Sequence, residues 1–194
     1  DEFFGSSGYF AYGNIDPARP NEIYAHHVLW EIDWETYETR PLTTIWRKTA
    51  PNMIGPPNPS AYIGHPRMVT AENDQQYMIG VTTLLRRERD LFKPFLHVFG
   101  GYPADMLGDR APTEPPKGPH LWQDANDDQC VQPDELTMIP VKLRKNRVSI
   151  GKDLTLYMSN GYTLRPVRVT DAGQPVYVAE TIQKAPVGMA PDAD

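Results

Sequence analysis

Short runs of β-branched and aromatic residues, each closed by a polar turn, recur along this chain. "NEIYAHHVLWEIDWETYETRPLTTIWR" carries such residues on both sides of a turn. Ile23–Asp33 and Leu42–Arg47 therefore read as two antiparallel strands around "WETYETRP". Asp1–Pro20 reads as loop with one strand, and "TAPNMIGPPNPS", Thr49–Ser60, as a Pro- and Asn-rich loop. Arg67–Glu72 and Tyr77–Leu85 form a second pair around "NDQQ". Phe95–Gly100 follows the charged turn "RRERDLFKP", and residues 101–120 read as a long loop. In the last third, strands are expected at Met138–Leu143, Val148–Ile150, Leu154–Ser159, Tyr162–Val169 and Pro175–Ala179. The turn signals "RKN", "GKD", "SNG" and "DAGQ" separate them. The expectation is an all-β fold with few helices. The 20 prolines against 14 glycines agree, since scattered proline suits short strands and loops better than long helices.

Strands at this spacing suit a sandwich, a barrel or a propeller. The rhythm strand, polar turn, strand comes back in "GHPRMVTAENDQQYMIGV", "TTLLRRERDLFKPFLHVFGG" and "KDLTLYMSNGYTLRPVRVTDAGQPVY". These units recur at roughly the 40–50 residues of a propeller blade. The chain is therefore expected to be a single β-propeller-like domain over 1–194, with three to four blades, or a segment of a larger propeller. A closed propeller takes about four to eight blades. A partial one leaves open sheet edges, which calls for another polypeptide to complete or cover them.

The densest acidic stretch, "WQDANDDQCVQPDEL", lies within an insertion at 121–136. A twelve-residue EF-type loop takes oxygen ligands at positions 1, 3, 5, 7, 9 and 12. Counted from Asp124, these are Asp124, Asn126, Asp128, Cys130 through its carbonyl, Gln132 and Glu135. Val131 at position 8 is the apolar residue that would pin the loop to the fold. Position 6, ordinarily Gly because φ is positive there, is Gln129, at a strain cost of about 1 kcal/mol. Pro133 is tolerable in a first helical turn. Two readings stand: a structural calcium site, or an Asp/Asn-rich turn capped by its own side chains.

This loop, followed by "KDLTLYMSNGYTLRPVRVTDAGQPVY", resembles bacterial secreted β-propeller proteins of the NHL/YVTN-like type. The resemblance covers roughly the last 80 residues well and the first 100 by rhythm only. It implies an EF-hand-like calcium loop interrupting a blade, with the next blade opening on "DLTLY" and leaving on "GQPVY".

The formal charge of −6 argues against a nucleic-acid surface, and Arg86-Arg87-Glu88-Arg89 reads as a hairpin end. Cys130 is the single cysteine, which excludes an intrachain disulfide and a multi-cysteine zinc site. No apolar run is long enough to span a membrane. The chain opens at Asp1 without an initiator methionine or signal-peptide pattern, which reads as a mature, processed or excised piece. His26-His27 would point to opposite faces of a strand; with His65, His97 and His120 they could serve chemistry only by converging on a channel. Asp33, Glu35 and Glu38 beside Trp30 and Trp34 have the composition of a sugar cleft, though a polar hairpin turn between buried aromatics is the plainer reading. No catalytic motif is legible.

Two functions follow. One is an exported, calcium-stabilised scaffold or binding module, periplasmic or extracellular, where calcium is plentiful. The alternative is a propeller-type enzyme or enzyme subunit, a carbohydrate hydrolase or lyase or an oxidoreductase, using channel-facing His and Asp.

Overall fold

The computed structural model describes residues 13–25, 28–54, 66–80, 82–140, 148–158 and 161–185. The first sheet holds ten strands: β1 Asn14–Ile15, β2 Glu22–Ala25, β3 Val28–Ile32, β4 Thr39–Ile45, β5 Arg67–Thr70, β6 Gln76–Ile79, β7 Thr83–Glu88, β8 Leu91–Phe99, β9 His120–Gln123 and β10 Leu136–Met138. The second holds four: β11 Val148–Ile150, β12 Leu156–Met158, β13 Tyr162–Val169 and β14 Pro175–Lys184. The fold is mostly β, as expected, and α1, Ala104–Leu107, is short.

Eight strands of the first sheet follow the order β1-β2-β3-β4-β8-β7-β6-β5. β4 and β8 run parallel, with Thr44 opposite Leu91; all other pairings are antiparallel. The sheet curls until β1 meets β5, giving a nearly closed barrel. Side chains bridge this seam. The Met68 N–H donates to Asn14 Oδ1 at 2.9 Å, and the Thr70 hydroxyl to buried Asp16 at 2.6 Å. Period-2 alternation sends Tyr24, Leu29, Ile45, Met68, Met78, Leu85 and Phe92 into one cluster that fills the barrel. Two residues along the same strands, Glu22, Gln76 and Arg87 form a polar plug. Arg87 Nη1 donates to both Glu22 oxygens (3.1 and 3.0 Å) and to Gln76 Oε1 (3.0 Å).

The opposite faces of β6, β7 and β8 pack against the four-stranded sheet through Tyr77, Ile79, Leu84, Phe95, Leu96, Leu156, Leu164 and Tyr177. These strands are therefore buried on both sides there, which is why Tyr77–Ile79, Leu84–Leu85 and Phe95–Leu96 run apolar without alternation. Burying side chains of this size contributes roughly 1.5–3 kcal/mol each. Three interior strand prolines sit at register shifts: Pro41 beside Leu29/Trp30, Pro94 beside Leu84/Leu85, and Pro166 between two shifts. A proline lacks the N–H that an unbroken ladder requires, so the bulges accommodate it.

Several expected boundaries move. Ile23–Asp33 is two strands, β2 and β3, with Ala25 paired to Val28. Tyr77–Leu85 is likewise two, β6 and β7, joined where the Gly80 N–H donates to the Thr83 carbonyl at 2.8 Å. Neither reversal carries an Asn-Gly or Asp-Gly turn signal: His26-His27 separate the first pair of strands and Gly80-Val81-Thr82 the second. Leu42–Arg47 becomes Thr39–Ile45, and most of the charged "RRERDLFKP" is strand rather than turn. The 101–120 stretch contains α1 and a 3₁₀ turn, Gly108–Arg110. Tyr162–Val169 and Val148–Ile150 stand as read; β12 is shorter than Leu154–Ser159 and β14 longer than Pro175–Ala179. Of the expected Met138–Leu143 strand, only the start is seen, at the end of β10; 141–147 lie outside the described residues.

The hydrogen bonding does not confirm separate four-stranded blades. Among the described residues only β11–β14 has a blade's size. The other ten strands stay joined because β4 bonds directly to the β7–β8 region, Thr44 N–H to the Asp90 carbonyl and Trp46 N–H to the Phe92 carbonyl.

Candidate functional site

β9 and β10 pair with Trp122 opposite Leu136, so Asp124–Glu135 is the closing loop of a β-hairpin rather than a helix–loop–helix. Its backbone follows the spacing read from the sequence. Gln129, at position 6, has φ +57°, the left-handed conformation expected there, and Asp127 has φ +61°. Pro133 opens a single 3₁₀ turn, Pro133–Glu135. Val131 is fully buried among Ile54, Leu107 and Trp122. The loop is also tied to the chain around Met53: the Ile54 N–H donates to the Gln129 carbonyl at 2.9 Å and the Val131 N–H to the Asn52 carbonyl at 2.8 Å.

The acidic side chains turn inward on their own backbone. The Asp128 N–H donates to Asp124 Oδ1 and to Asn126 Oδ1, both at 3.2 Å, which gathers the first three ligand positions around one amide. Asp124 Oδ2 accepts the backbone N–H and side-chain Nε2 of Gln129, both at 3.0 Å. Asp128 Oδ1 accepts the Cys130 N–H at 2.7 Å. Asp128 Oδ2 accepts two amide nitrogens, from Asn126 at 3.1 Å and Gln132 at 2.7 Å. Glu135 is a clasp: Oε2 accepts the Trp122 indole N–H and Oε1 the Ala125 N–H, both at 2.8 Å.

Asp124 and Glu135 are buried. Burial is the leading cause that raises both carboxyls above their usual range; hydrogen bonds from Gln129 to Asp124, and from Ala125 and Trp122 to Glu135, oppose it. Neighbouring carboxylates push further in the same direction, Asp127 and Asp128 on Asp124, and Asp124 and Asp128 on Glu135. Among the described residues, the one ion pair reaching this loop is Lys93 Nζ to Asp127 Oδ2 at 3.3 Å. Burial and the Asp128 carboxylate also raise the Cys130 thiol, so the cysteine stays protonated beside the acids.

The backbone follows the spacing of a cation-binding loop, but both oxygens of Asp124 and of Asp128 already accept hydrogen bonds from within it. Glu135 does not fit as a bidentate ligand here, because both of its oxygens already hold hydrogen bonds. Gln132 and Asn126 present nitrogen, not oxygen, to Asp128. Among the described residues no three His, Cys, Asp or Glu side chains form a group that could hold a metal ion.

Other sequence candidates are placed as follows. His26, His27 and His65 lie outside the described residues. His97 and His120 are diagonal neighbours on β8 and β9, each with a local partner: His97 Nδ1 lies 2.7 Å from Thr83 Oγ1, and His120 Nδ1 3.0 Å from the Gly118 carbonyl. Burial lowers His97 to about 4, which keeps it neutral. The Asp33–Glu38 stretch is the polar hairpin turn expected between β3 and β4, but its aromatics are not buried: Trp34 is 47% and Tyr37 76% exposed. Sequence reading missed one link, Gln123. Its amide bonds both the Tyr177 carbonyl and the Tyr177 N–H at 2.7 Å, which ties the base of the loop to the second sheet. Nothing in the local pattern marks a glutamine for that role. No helix among the described residues is long and apolar enough to cross a membrane. No protein-family model matches this chain, and neither does any curated protein or solved structure.

Proposed function

We propose that this protein is an exported β-scaffold or binding module whose second sheet is held in register by a calcium-stabilised loop at Asp124–Glu135. One observation carries the proposal: two buried carboxylates, Asp124 and Glu135, share a loop with Asp127, Asp128 and Asp134, and Lys93 is the sole described cation paired with the group. Like charges in a desolvated loop favour a bound cation. Oxygen donors in this number suit calcium better than magnesium. Asp124, Asn126, Asp128, the Cys130 carbonyl and Gln132 would hold the ion once the Asn126 and Gln132 amides turn their oxygens inward. The ion would compete with the Ala125 N–H for Glu135. Calcium supplies charge neutralisation here and no chemistry.

A weak site of this kind suits a periplasmic or extracellular setting, where calcium is abundant. The outer edges of β11 and β14 are places where another polypeptide could add strands. Membership of a larger propeller has β11–β14 as its one blade-sized support.

Thermal unfolding with calcium or chelator, alongside native mass spectrometry, tests the proposal. Calcium at about a hundred times Kd stabilises by about 2.7 kcal/mol. Asp128→Asn should abolish that shift while leaving the ion-free melt close to the parent's. Because Asp124 and Glu135 protonate more readily than ordinary carboxyls, the calcium shift should shrink as pH falls toward the carboxylate range. An undiminished shift in both Asp128→Asn and Glu135→Gln excludes this loop. Native mass also shows whether a companion chain is retained.

A further inference from the structure

Another polar cluster sits on the face of the first sheet that meets the second. Register pairs Tyr77 of β6 with Arg86 of β7, and Arg86 with Lys93 of β8, so the three side chains share one face. Trp46 continues that row: Ile45 pairs with Phe92 in the parallel junction, and the Trp46 N–H donates to the Phe92 carbonyl at 2.8 Å. The Arg86 side chain is only 5% exposed. Its Nη2 donates to Glu88 Oε1, while Nε and Nη1 are buried without an acceptor. The Trp46 indole N–H is likewise buried without one. Folded proteins rarely tolerate such donors, because each costs about 1–3 kcal/mol, and more when charged.

The tip of the β13–β14 hairpin closes over this row. The Gly173 carbonyl accepts a hydrogen bond from the Tyr77 hydroxyl, and the Gln174 side-chain amide donates to the Asp124 carbonyl just beyond β9. In the sheet order β7 and β8 run between those two anchors. The tip is a tight turn with Asp171 and Ala172 exposed, and the Gly173 N–H donates to the Thr170 carbonyl at 2.8 Å. Its clips are polar, so they exchange for water at a modest net cost. Beneath it the charges balance. Arg86 and Lys93 face Glu88 and Asp127, with Lys93 Nζ 2.9 Å from Glu88 Oε2 and 3.3 Å from Asp127 Oδ2. What is unmet is hydrogen bonding, and each unmet group is a donor. A ligand must therefore bring acceptor oxygens, and the guanidinium favours oxygens that carry negative charge. A metal ion finds no lone pair on these donors, and a macromolecule cannot reach a side chain buried to this degree.

We propose that Arg86 and Trp46 form an internal site for a small inorganic oxyanion of the phosphate or sulfate class, admitted when the β13–β14 tip lifts. Titration calorimetry with sodium phosphate tests it, with chelator present and ionic strength held by sodium chloride. Saturable one-to-one binding is expected, with sulfate competing. Trp46→Phe, which keeps a ring and removes the N–H, should weaken phosphate about tenfold. Arg86→Met should abolish saturation. Because it removes two unmet donors along with one ion pair, its melt without phosphate should stay close to the parent's. Gln174→Ala unclips the tip and touches neither donor; it should speed phosphate dissociation about fivefold, read from phosphorus NMR line widths. Circular dichroism checks that each variant folds. No saturation beyond the response to matched chloride overturns the proposal. So does equal affinity in the parent and Trp46→Phe, which would mean an adventitious ion only, and an unchanged dissociation rate in Gln174→Ala removes the lid. The chelator keeps calcium out of every arm, so failure here leaves the reading of the acidic loop untouched.

Discussion

The acidic loop at Asp124–Glu135 and the acidic turn at Asp33–Glu38 are built from the same parts. Each opens on an aspartate that accepts backbone N–H groups further along, and each holds a non-glycine residue in the left-handed region, Gln129 at φ +57° and Tyr37 at φ +59°. Their carboxylates nevertheless move in opposite directions. Hydrogen bonds from Glu35 and Thr36 hold Asp33 below the usual range, whereas burial lifts Asp124 above it. Both aspartates accept N–H groups of their own loop, at different spacings, yet their charge behaviour is opposite, and the deciding factor is what lies behind the turn. Trp122, Val131, Leu107 and Ile54 back the loop; solvent surrounds the turn.

The sharpest way to test this contrast is to cut the clasp. Glu135→Ala leaves the buried Trp122 indole N–H and the Ala125 N–H without their acceptor and should cost about 3 kcal/mol, measured by urea unfolding. A cost near that of a surface change would mean the loop is not buried as described. pH is the next lever. His97, paired across the ladder with Trp122, has its folded pKa lowered to about 4. Its neutral form contributes stability that is present above its unfolded value and lost as pH falls from about 6.5 to about 4. The parent should therefore lose on the order of 2 kcal/mol relative to His97→Gln across that window. Parallel curves would show that burial here is weaker than the packing implies.

Val131→Ala, in the floor of the loop, should cost about 1–2 kcal/mol by the same measurement. Glycine substitution gives the finest distinction. Gln129→Gly relieves backbone strain but deletes an amide that donates to Asp124 Oδ2, the Asp127 carbonyl and Asp127 Oδ1, so a net loss of about 1 kcal/mol is expected. Tyr37→Gly relieves similar strain at an exposed site and should be neutral or stabilising by a few tenths, about 0.3 kcal/mol. The same sign at both positions would break the comparison.

Much of this was legible from residue order alone. Alternation and turn residues mark most strands, because period 2 and the backbone demands of turns are local properties. The twelve-residue spacing likewise identified Gln129 as the left-handed position and Val131 as the apolar pin. Other features are settled by distant partners. The reversals at Ala25–Val28 and Gly80–Thr83 are concealed because neither carries an Asn-Gly or Asp-Gly signal, and what fixes them is the pairing of β2 with β3 and of β6 with β7. The parallel junction of β4 with β8, which links β1–β4 to β5–β8 in one barrel-like sheet, joins residues far apart in sequence. The engagement of Glu135 with Trp122, and the exposure of Trp34, also depend on the folded surroundings. Residue order determined the local shape of each turn; packing behind it decided whether its carboxyls are buried and raised, or solvated and lowered.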